Sequence, residues 1–484
     1  MPFAASPLDP CKAHLVLDVL LFSPTMNHRI LRHTTLLLAA LAIPAMSFAE
    51  APKKKAPTKK PAAPAAVQTK GLGLKDGDRF LFIGDSITHQ SLYTQFVEDF
   101  FYTRYPHIRL HFRNAGVSGD RAADALDRFE PDIAAFKPTV ATILLGMNDG
   151  TYKDFDAETF ATYEQGMTEL LDQLDAIHCR VVLMSPTMFD HQAFEQMVAK
   201  DPARARGKVP TNYNAVLAYY GKWAQEVARK RGYLFVDLFG PLNTLTQQQR
   251  KTDPDFTLIE DAIHPGTDGQ LVMAYSLLQQ VGETGAIFST GVRVKDGEWT
   301  PTSAALVSNI SGAAGRNASY TVNARALPWT IFEAAPIGAR LTRAGHTGSQ
   351  ESHVAVGLDA GKYDLVINGQ TVGTYDEKQL GVHAEIEADK DSPTYQQAMK
   401  IIALNKQRND EAVHPLRDLY SKRKGQLRAT RGKGDAALAA FKTWEETEFT
   451  PKATELEKKA ADFEAEIYKI NQVQPLKVEI KPAS

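Results

Sequence analysis

Short strand-like segments alternate with longer helical patterns in the first half of the chain. Segments with a strand pattern lie at residues 79–83, 107–113, 140–145, 181–184 and 234–238. Apolar side chains recur every three or four residues, as in helices, at residues 91–105, 122–136, 157–177, 213–228 and 269–281. Strands that alternate with helices are typical of βαβ units. The pattern therefore predicts an α/β domain over residues 74–284, a three-layer α/β/α sandwich with a mostly parallel sheet.

The pattern changes twice after residue 284. Residues 285–390 contain alternating segments, and Asn368-Gly369 predicts a two-residue hairpin turn between two of them. This stretch is predicted to form a small antiparallel β module. From residue 391 to the end at residue 484 the sequence is charged and has helical periodicity, which predicts packed helices. Residues 476–480 are predicted to form a final strand that returns to the β module.

Neither of these two segments contains a motif that assigns it a function. The β module is interpreted either as a packing lid, which we favour, or as a carbohydrate-binding attachment. Trp329 and Tyr375 separate the two, because rings aligned on an exposed face suggest sugar stacking and buried rings suggest core. The charged helices are interpreted as a solvated face, with a partner-binding coiled coil as the alternative.

The first 73 residues have the pattern of an export signal followed by a tether. A basic stretch after Met26 precedes the apolar run at residues 36–45, which is too short to span a bilayer. Small residues then precede Ala49, so residues 1–49 are predicted to be a leader with cleavage after Ala49. An uncleaved anchor is the alternative. Residues 50–73 are rich in Lys, Pro and Ala, which predicts a solvated linker. The protein is therefore expected to be secreted or periplasmic.

Composition excludes several classes of protein. The chain has 484 residues, of which 43% are hydrophobic and 23% are charged, as in folded soluble proteins. The net charge is −2, so no overall positive field points to nucleic acid as a partner. Two cysteines are too few for a disulfide scaffold or a cysteine-rich zinc array. Cys11 would leave with the leader, and Cys179, at the start of a strand, is predicted to be a buried thiol rather than a reactive nucleophile.

Polar blocks follow the first three predicted strands. Ser86 lies in Gly84-Asp85-Ser86-Ile87-Thr88, where a strand turns into a helix and a serine hydroxyl is presented at the sheet edge. Gly119 lies in the block at residues 114–120, and Asn148 in the block at residues 146–149. Glycine lets its backbone N–H approach a ligand, and an asparagine amide can donate to an oxyanion. Each block taken alone is also compatible with an ordinary cap or turn.

A fourth polar block, Asp261-Ala262-Ile263-His264-Pro265-Gly266, lies further along the chain. A three-residue offset can bring the carboxylate of Asp261 onto the imidazole of His264, as a base oriented by a third group requires. A surface ion pair is the alternative for this block taken alone. Two further residues are weaker candidates. His89 either lines the pocket or lies on a helix surface, and Asp85 is expected to stabilise the turn.

Taken together, the four blocks resemble those of the SGNH (GDSL-like) hydrolase superfamily. They match in order and spacing, with Ile87 where that superfamily often has Leu. The resemblance covers about residues 74–284 and implies a flavodoxin-like sheet. It also implies a serine hydrolase in which Ser86 is the nucleophile, His264 the general base and Asp261 the residue that orients it.

The resemblance further implies an oxyanion hole formed by the backbone N–H groups of Ser86 and Gly119 and by the side chain of Asn148. The reaction would be ester hydrolysis through an acyl-enzyme, with no metal and no cofactor. The expected substrate is a small ester or an acetylated glycan, and carbohydrate O-acetyl esterase is the leading hypothesis.

Two other functions remain open at this stage. One is a hydrolase of short-chain lipids or thioesters, and the other is a non-catalytic glycan-binding envelope protein. No nucleic-acid partner and no membrane span after signal cleavage are expected, and the oligomeric state is left open.

Overall fold

The computed structural model describes residues 69–204, 212–330 and 335–483. The predicted leader, the predicted cleavage after Ala49 and the linker up to residue 68 lie outside these ranges and stay predictions. The described residues belong to one compact unit, which begins at residue 65.

Five parallel strands form the first sheet. They are β1 (Arg79–Gly84), β2 (His111–Gly116), β3 (Val140–Leu144), β4 (Arg180–Met184) and β5 (Leu234–Val236). Their order in the sheet is β2-β1-β3-β4-β5, and all four pairings are parallel. β2 lies on one side of β1, whereas β3 and the strands after it lie on the other side, so the strand order reverses at β1. In open α/β sheets, ligands bind at such a reversal, beyond the carboxyl ends of the strands.

Helices cover both faces of this sheet, which confirms the three-layer prediction. They are α1 (Ser86–His89), α2 (Leu92–Arg104), α3 (Ala122–Asp127), α4 (Ala157–Ala176), α5 (His191–Lys200), α6 (Tyr213–Arg231), α7 (Phe239–Gln249) and α8 (Thr267–Gln280). Successive residues of β1 point to opposite faces. Phe80 and Phe82 therefore join a core with α2 and α8, and Leu81 and Ile83 join a second core with α3, α4 and α6.

Two predicted boundaries in this domain are wrong. The strand predicted at residues 107–113 begins at His111, because Arg109 instead bonds to the turn before β1, accepting from Gly77 N and donating to Asp76. The helix predicted at residues 122–136 is α-helical only as far as Asp127. A wide π-type turn, Phe129–Ile133, and a 3₁₀ turn, Ala134–Phe136, follow it. Pro131 lies in the wide turn and has no N–H for a regular helical bond.

Residues 285–390 form the predicted strands and, in addition, short helices that were not predicted. They are β6 (Phe288–Lys295), β7 (Glu298–Pro301), β8 (Val307–Ser311), β9 (Ala318–Val322), α9 (Pro336–Thr342), α10 (Ala344–Ser349), β10 (Glu351–Val356), β11 (Lys362–Ile367), β12 (Gln370–Asp376), α11 (Glu377–Val382) and β13 (Ala384–Glu385). Asn368 and Gly369 both have positive φ, at 52° and 87°, and make the predicted hairpin between β11 and β12. The module is not wholly antiparallel, because β6 pairs in parallel with β10.

The last part of the chain is helical and ends in a strand. Its elements are α12 (Pro393–Arg408), α13 (His414–Thr430), α14 (Asp435–Trp444), α15 (Thr450–Ile470) and β14 (Leu476–Pro482). As predicted, β14 returns to the β module, where it pairs with β9 and β11. The helices are more than a solvated face. Ile401 of α12 and Ile467 of α15 are fully buried in the same core as Phe96 of α2.

Burial supports packing over sugar stacking in the β module. Trp329 is 2% exposed and packs edge to face on Phe100, with ring centroids 5.6 Å apart. Trp329 is therefore part of the core, and Tyr375 is only half-buried. Cys179 is buried, and burial raises the pKa of its thiol to about 12, as expected for a structural thiol. No helix within the described ranges combines the length and the apolar character needed to cross a membrane.

Candidate active site

Ser86 lies at the turn between β1 and α1. Asp85 caps α1, with one carboxylate oxygen accepting from Ile87 N at 2.9 Å. This confirms the structural role expected for Asp85, and it leaves the hydroxyl of Ser86 free of capping. The turn is tight: a Cβ on Gly84 would lie 2.0 Å from Thr88 Oγ1 and 2.9 Å from the carbonyl oxygen of Leu144. Only glycine fits there, and the tight turn places Ser86 just beyond the carboxyl end of β1.

Ser86, His264 and Asp261 form a chain of two short hydrogen bonds. Ser86 Oγ lies 2.7 Å from His264 Nε2, and His264 Nδ1 lies 2.7 Å from Asp261 Oδ2. Because a carboxylate only accepts, the proton is assigned to Nδ1, and Nε2 is left to accept from the serine hydroxyl. This is the arrangement that general-base activation of a serine requires.

The turn before α8 holds Asp261 in place. The other carboxylate oxygen of Asp261 accepts from the backbone N–H groups of Ile263 and His264, at 3.0 and 2.7 Å. Partial burial would raise the pKa of Asp261, but the hydrogen bonds from the His264 ring and from these two N–H groups outweigh it and lower the pKa to about 2. Asp261 is therefore ionised throughout the neutral pH range.

The ends of the first three strands meet at Asn148. Its Nδ2 donates to Asp85 Oδ2 at 3.3 Å and to the carbonyl oxygen of Asp120 at 3.1 Å, and its Oδ1 accepts from Tyr152 at 3.1 Å. The structure therefore brings three of the four polar blocks together around one amide. Asp85 is also held near Ser86 as an almost fully buried carboxyl, and burial raises its pKa to about 7.

Gly119 lies in an exposed turn after β2 and has a positive φ of 68°. No hydrogen bond from its backbone N–H to another residue is found in the described ranges. The N–H of Ser86 belongs to the first residue of α1, which has no intrahelical acceptor. Both backbone donors predicted for the oxyanion hole are therefore available to a ligand.

His89 lines the back of the Gly119 turn, and the helix-surface interpretation is wrong. It is 6% exposed, its Nδ1 accepts from Ser118 N at 3.2 Å, and its Nε2 lies 3.2 Å from Asp418 Oδ1. Burial, followed by the charge effects of His414 and Arg417, lowers the pKa of His89 to about 4. His89 is therefore neutral and carries its proton on Nε2.

Helix α13 supplies site neighbours that the sequence analysis missed. Lys424 reaches the Gly119 turn, while Arg428 and Arg431 pair with Asp124 and Asp127 of α3. A signal for this contact was present in the sequence. Acidic residues at positions 120, 124 and 127 have the same spacing as basic residues at positions 424, 428 and 431. Two stripes of opposite charge with one spacing fit helices that lie side by side.

Two groups of residues in the described ranges place possible metal-ligand atoms within 4.8 Å of one another. They are His89, His414 and Asp418, and His346, Glu385 and Glu387. Hydrogen bonds account for the first group, because the protonated Nε2 of His89 donates to Asp418 and so has no lone pair for an ion. In the second group, Glu385 accepts from the rings of His346 and His383 at 2.7 and 2.9 Å.

Comparisons with known proteins agree with this geometry. Residues 82–272 match the model of the GDSL-like Lipase/Acylhydrolase family. An acetylxylan esterase from Geobacillus stearothermophilus is 26% identical over 228 residues, which cover 43% of this chain and 94% of that protein. A gut microbial diltiazem-metabolizing enzyme of known structure is 25% identical, with a TM-score of 0.71, and the match covers 86% of this chain and 100% of that one. Residues 82–272 thus form a GDSL-like acylhydrolase domain, an ester-hydrolysing domain of the SGNH hydrolase superfamily.

Proposed function

We propose that this protein is a serine esterase that removes acetyl groups from carbohydrates, with Ser86 as nucleophile, His264 as general base and Asp261 as the residue that orients His264. The observation that carries the proposal is the chain of two 2.7 Å hydrogen bonds from Ser86 through His264 to Asp261. This hydrogen-bonded chain of side chains begins at Ser86, beyond the end of β1, where the strand order of the sheet reverses. Open α/β sheets bind their ligands at such a reversal.

The proposed reaction has two steps. His264 Nε2 takes the proton of Ser86 while Oγ attacks the ester carbonyl carbon, and the carbonyl oxygen becomes an oxyanion. His264 then returns the proton to the departing alcohol oxygen, and an acyl-enzyme is left on Ser86. Water, deprotonated by His264, attacks this ester; the bond to Ser86 Oγ then breaks, Oγ takes the proton back from His264, and the acid is released. Asp261 stays ionised and stabilises the imidazolium at each step.

Three donors are proposed to bind the oxyanion: the N–H groups of Ser86 and Gly119 and the amide of Asn148. Asn148 Nδ2 bonds to Asp85 and Asp120 at 3.3 and 3.1 Å, and these contacts hold the amide between the ends of the strands. The 3.3 Å bond to Asp85 is long for an N–H···O hydrogen bond, so the Nδ2 hydrogen on that side is the one proposed to bind the developing charge.

Replacing Asn148 with Ala is expected to lower kcat by about 10²–10³-fold, because one oxyanion donor is lost. KM for a short acyl ester should change much less. Tyr152→Phe is the matched control, since it removes only the hydroxyl that donates to Asn148 Oδ1 and leaves the amide hydrogens in place. A kcat loss of equal size in the two variants would contradict a direct role for the Asn148 amide.

Two observations support an acetylated carbohydrate as the substrate. A curated relative, 26% identical over 228 residues, is an acetylxylan esterase. The predicted signal peptide, which ends at Ala49, would bring the protein outside the cytoplasm, where polysaccharides occur. A second candidate substrate is a small non-carbohydrate ester, because a solved structure that matches 86% of this chain is that of a diltiazem-metabolizing enzyme.

We expect the purified protein to release acetate from acetylated xylo-oligosaccharides faster than from simple acetyl esters such as 4-nitrophenyl acetate, compared by kcat/KM. Acetylated pectin, acetylated peptidoglycan and esters of longer acyl chains complete the panel, with Ser86→Ala protein as the background. No release from any glycan, together with good turnover of longer acyl esters, would overturn the carbohydrate assignment. Preference for small acetyl esters over all glycans would favour the second candidate.

A further inference from the structure

Lys424 of α13 contacts the Gly119 turn from a position about 300 residues away in the sequence. Its ammonium donates to the carbonyl oxygen of Ser118 at 2.6 Å and to Asp120 Oδ1 at 2.7 Å. The side chain is 13% exposed, and Nζ lies 3.8 Å from the point where a Cβ on Gly119 would be. A largely buried cation therefore lies directly behind a proposed oxyanion donor.

The carbonyl that Lys424 binds belongs to the same peptide group as the Gly119 N–H. A peptide group is planar, so fixing the direction of the Ser118 C=O also fixes the direction of the Gly119 N–H. A cation on the carbonyl oxygen also polarises the amide and makes its N–H a stronger donor. The bond at 2.6 Å thus acts on both the orientation and the strength of this donor.

Further contacts from α13 support the turn. The N–H of Ser118 donates to His89 Nδ1, and His89 in turn bonds to Asp418 of α13. Val117, the residue before the turn, is fully buried in an apolar cluster with Leu416 and Tyr420 of the same helix. The turn is therefore held on both sides of the peptide group that carries the Gly119 N–H.

Docking of α13 does not depend on Lys424 alone. Arg428 of α13 binds Asp124 at 2.5 Å, and Arg431, the residue after the end of α13, binds Asp127 at 2.6 Å. Asp120 also keeps a second partner, because Arg128 binds its carboxylate at 2.8 Å. Loss of the Lys424 ammonium should therefore leave α13 in place and remove only the hydrogen bond that fixes the orientation of the Ser118–Gly119 peptide group.

We propose that Lys424 is a positioning residue for the oxyanion hole, and that α13 is thereby part of the esterase machinery. The inference rests on the proposed function, since it assumes that the Gly119 N–H binds the oxyanion. It assigns a function to the C-terminal helices, which the sequence motifs leave unexplained.

The test compares Lys424→Met with Arg428→Met, which removes a neighbouring ion pair of the same helix but no contact with the turn. For a short acyl ester, Lys424→Met is expected to lower kcat about 10–100-fold with little change in KM, because a donor displaced by even 1 Å loses much of its effect. Affinity for a trifluoromethyl ketone that forms a tetrahedral adduct should fall by a similar factor. Lys424→Arg should restore part of both, and Arg428→Met should stay within about 2-fold of wild type.

Equal kcat losses in Lys424→Met and Arg428→Met, or a kcat loss without weaker binding of the ketone, would overturn the positioning role. Lys424→Gln is the second variant in case Lys424→Met does not fold, and it is expected to lower kcat and ketone affinity together. Ser86→Ala separates the two proposals. If Ser86→Ala is inactive while Lys424→Met keeps full kcat, only the positioning role fails. If Ser86→Ala keeps its activity, the proposed function itself fails.

Discussion

Replacing Ser86 with Ala is expected to lower kcat for a short acyl ester by about 10⁴–10⁶-fold, because no acyl-enzyme can form without the Oγ nucleophile. The substitution removes one oxygen that lies 2.7 Å from His264 Nε2 and caps no helix, since Asp85 caps α1. The thermal unfolding midpoint should therefore stay close to that of the wild type. Release of 4-nitrophenol measures the loss, and Ser289→Ala, at an exposed position on β6, is the control for a serine away from the site.

The same experiment tests whether Ser86 and His264 act as one unit. His264→Ala alone should cost about as much as Ser86→Ala, and the double variant should cost little more than either single variant, because a base without its nucleophile has nothing to activate. Additive losses would mean that the two residues act separately, and the proposed proton transfer between them would then be wrong. Substantial activity in Ser86→Ala would exclude Ser86 as the nucleophile.

The placement of the candidate site residues in the fold was predictable from sequence because these residues lie close to regular elements. Ser86 and Asn148 lie within a few residues of the ends of apolar strands, and the carboxyl ends of neighbouring parallel strands meet at one edge of the sheet. Asp261 and His264 are only three residues apart, so one local turn brings them together. The sheet, its strand directions and four of the five strand positions follow from the same alternating pattern.

The parts that were not predicted depend on contacts between distant segments. Lys424 and Asp418 lie in a charged helical pattern, and although the spacing of the basic residues matches that of acidic residues 120, 124 and 127, no local feature identifies the match as a contact. The break after Asp127 follows from Pro131, a signal that was present and was not used. The parallel pairing of β6 with β10 joins strands more than 50 residues apart, whereas hairpin signals report only on neighbours.

The prediction for the C-terminal helices differs most from the structure in the burial of their charged residues. Arg408 of α12 binds Glu98 of α2 at 3.0 Å, and both side chains are almost completely buried. A charged pattern predicts a solvated helix face unless the partner carboxylates are known, and here they lie about 300 residues earlier in the chain. These helices therefore complete the α/β domain, which agrees with their proposed part in catalysis.

Asp132→Asn is expected to lower the free energy of unfolding by about 3–5 kcal/mol, because it leaves buried guanidinium groups without their carboxylate. Asp132 and Arg417 are 0% exposed and bond at 2.8 and 3.0 Å, and Arg128 adds a contact at 2.7 Å. Urea unfolding measures the change. The matched control is Asp127→Asn, which breaks the exposed pair with Arg431 and should cost no more than about 1 kcal/mol.

The stabilisation by Asp132 should also depend on pH, and the direction follows from its environment. Burial alone would raise the pKa of Asp132, but Arg417, Arg128 and Arg113 outweigh it and hold the pKa below the ordinary value. A carboxyl whose pKa is lower in the folded state contributes stability above its unfolded pKa of about 4, and this is lost as the pH falls through the folded pKa. The difference in the free energy of unfolding between wild type and Asp132→Asn should therefore have its maximum size at pH 7 and become smaller in acid. If Asp132→Asn and Asp127→Asn lowered the free energy of unfolding equally at every pH, the ion pairs of Asp132 with Arg417 and Arg128 would not stabilise the packing of α13 on the α/β domain.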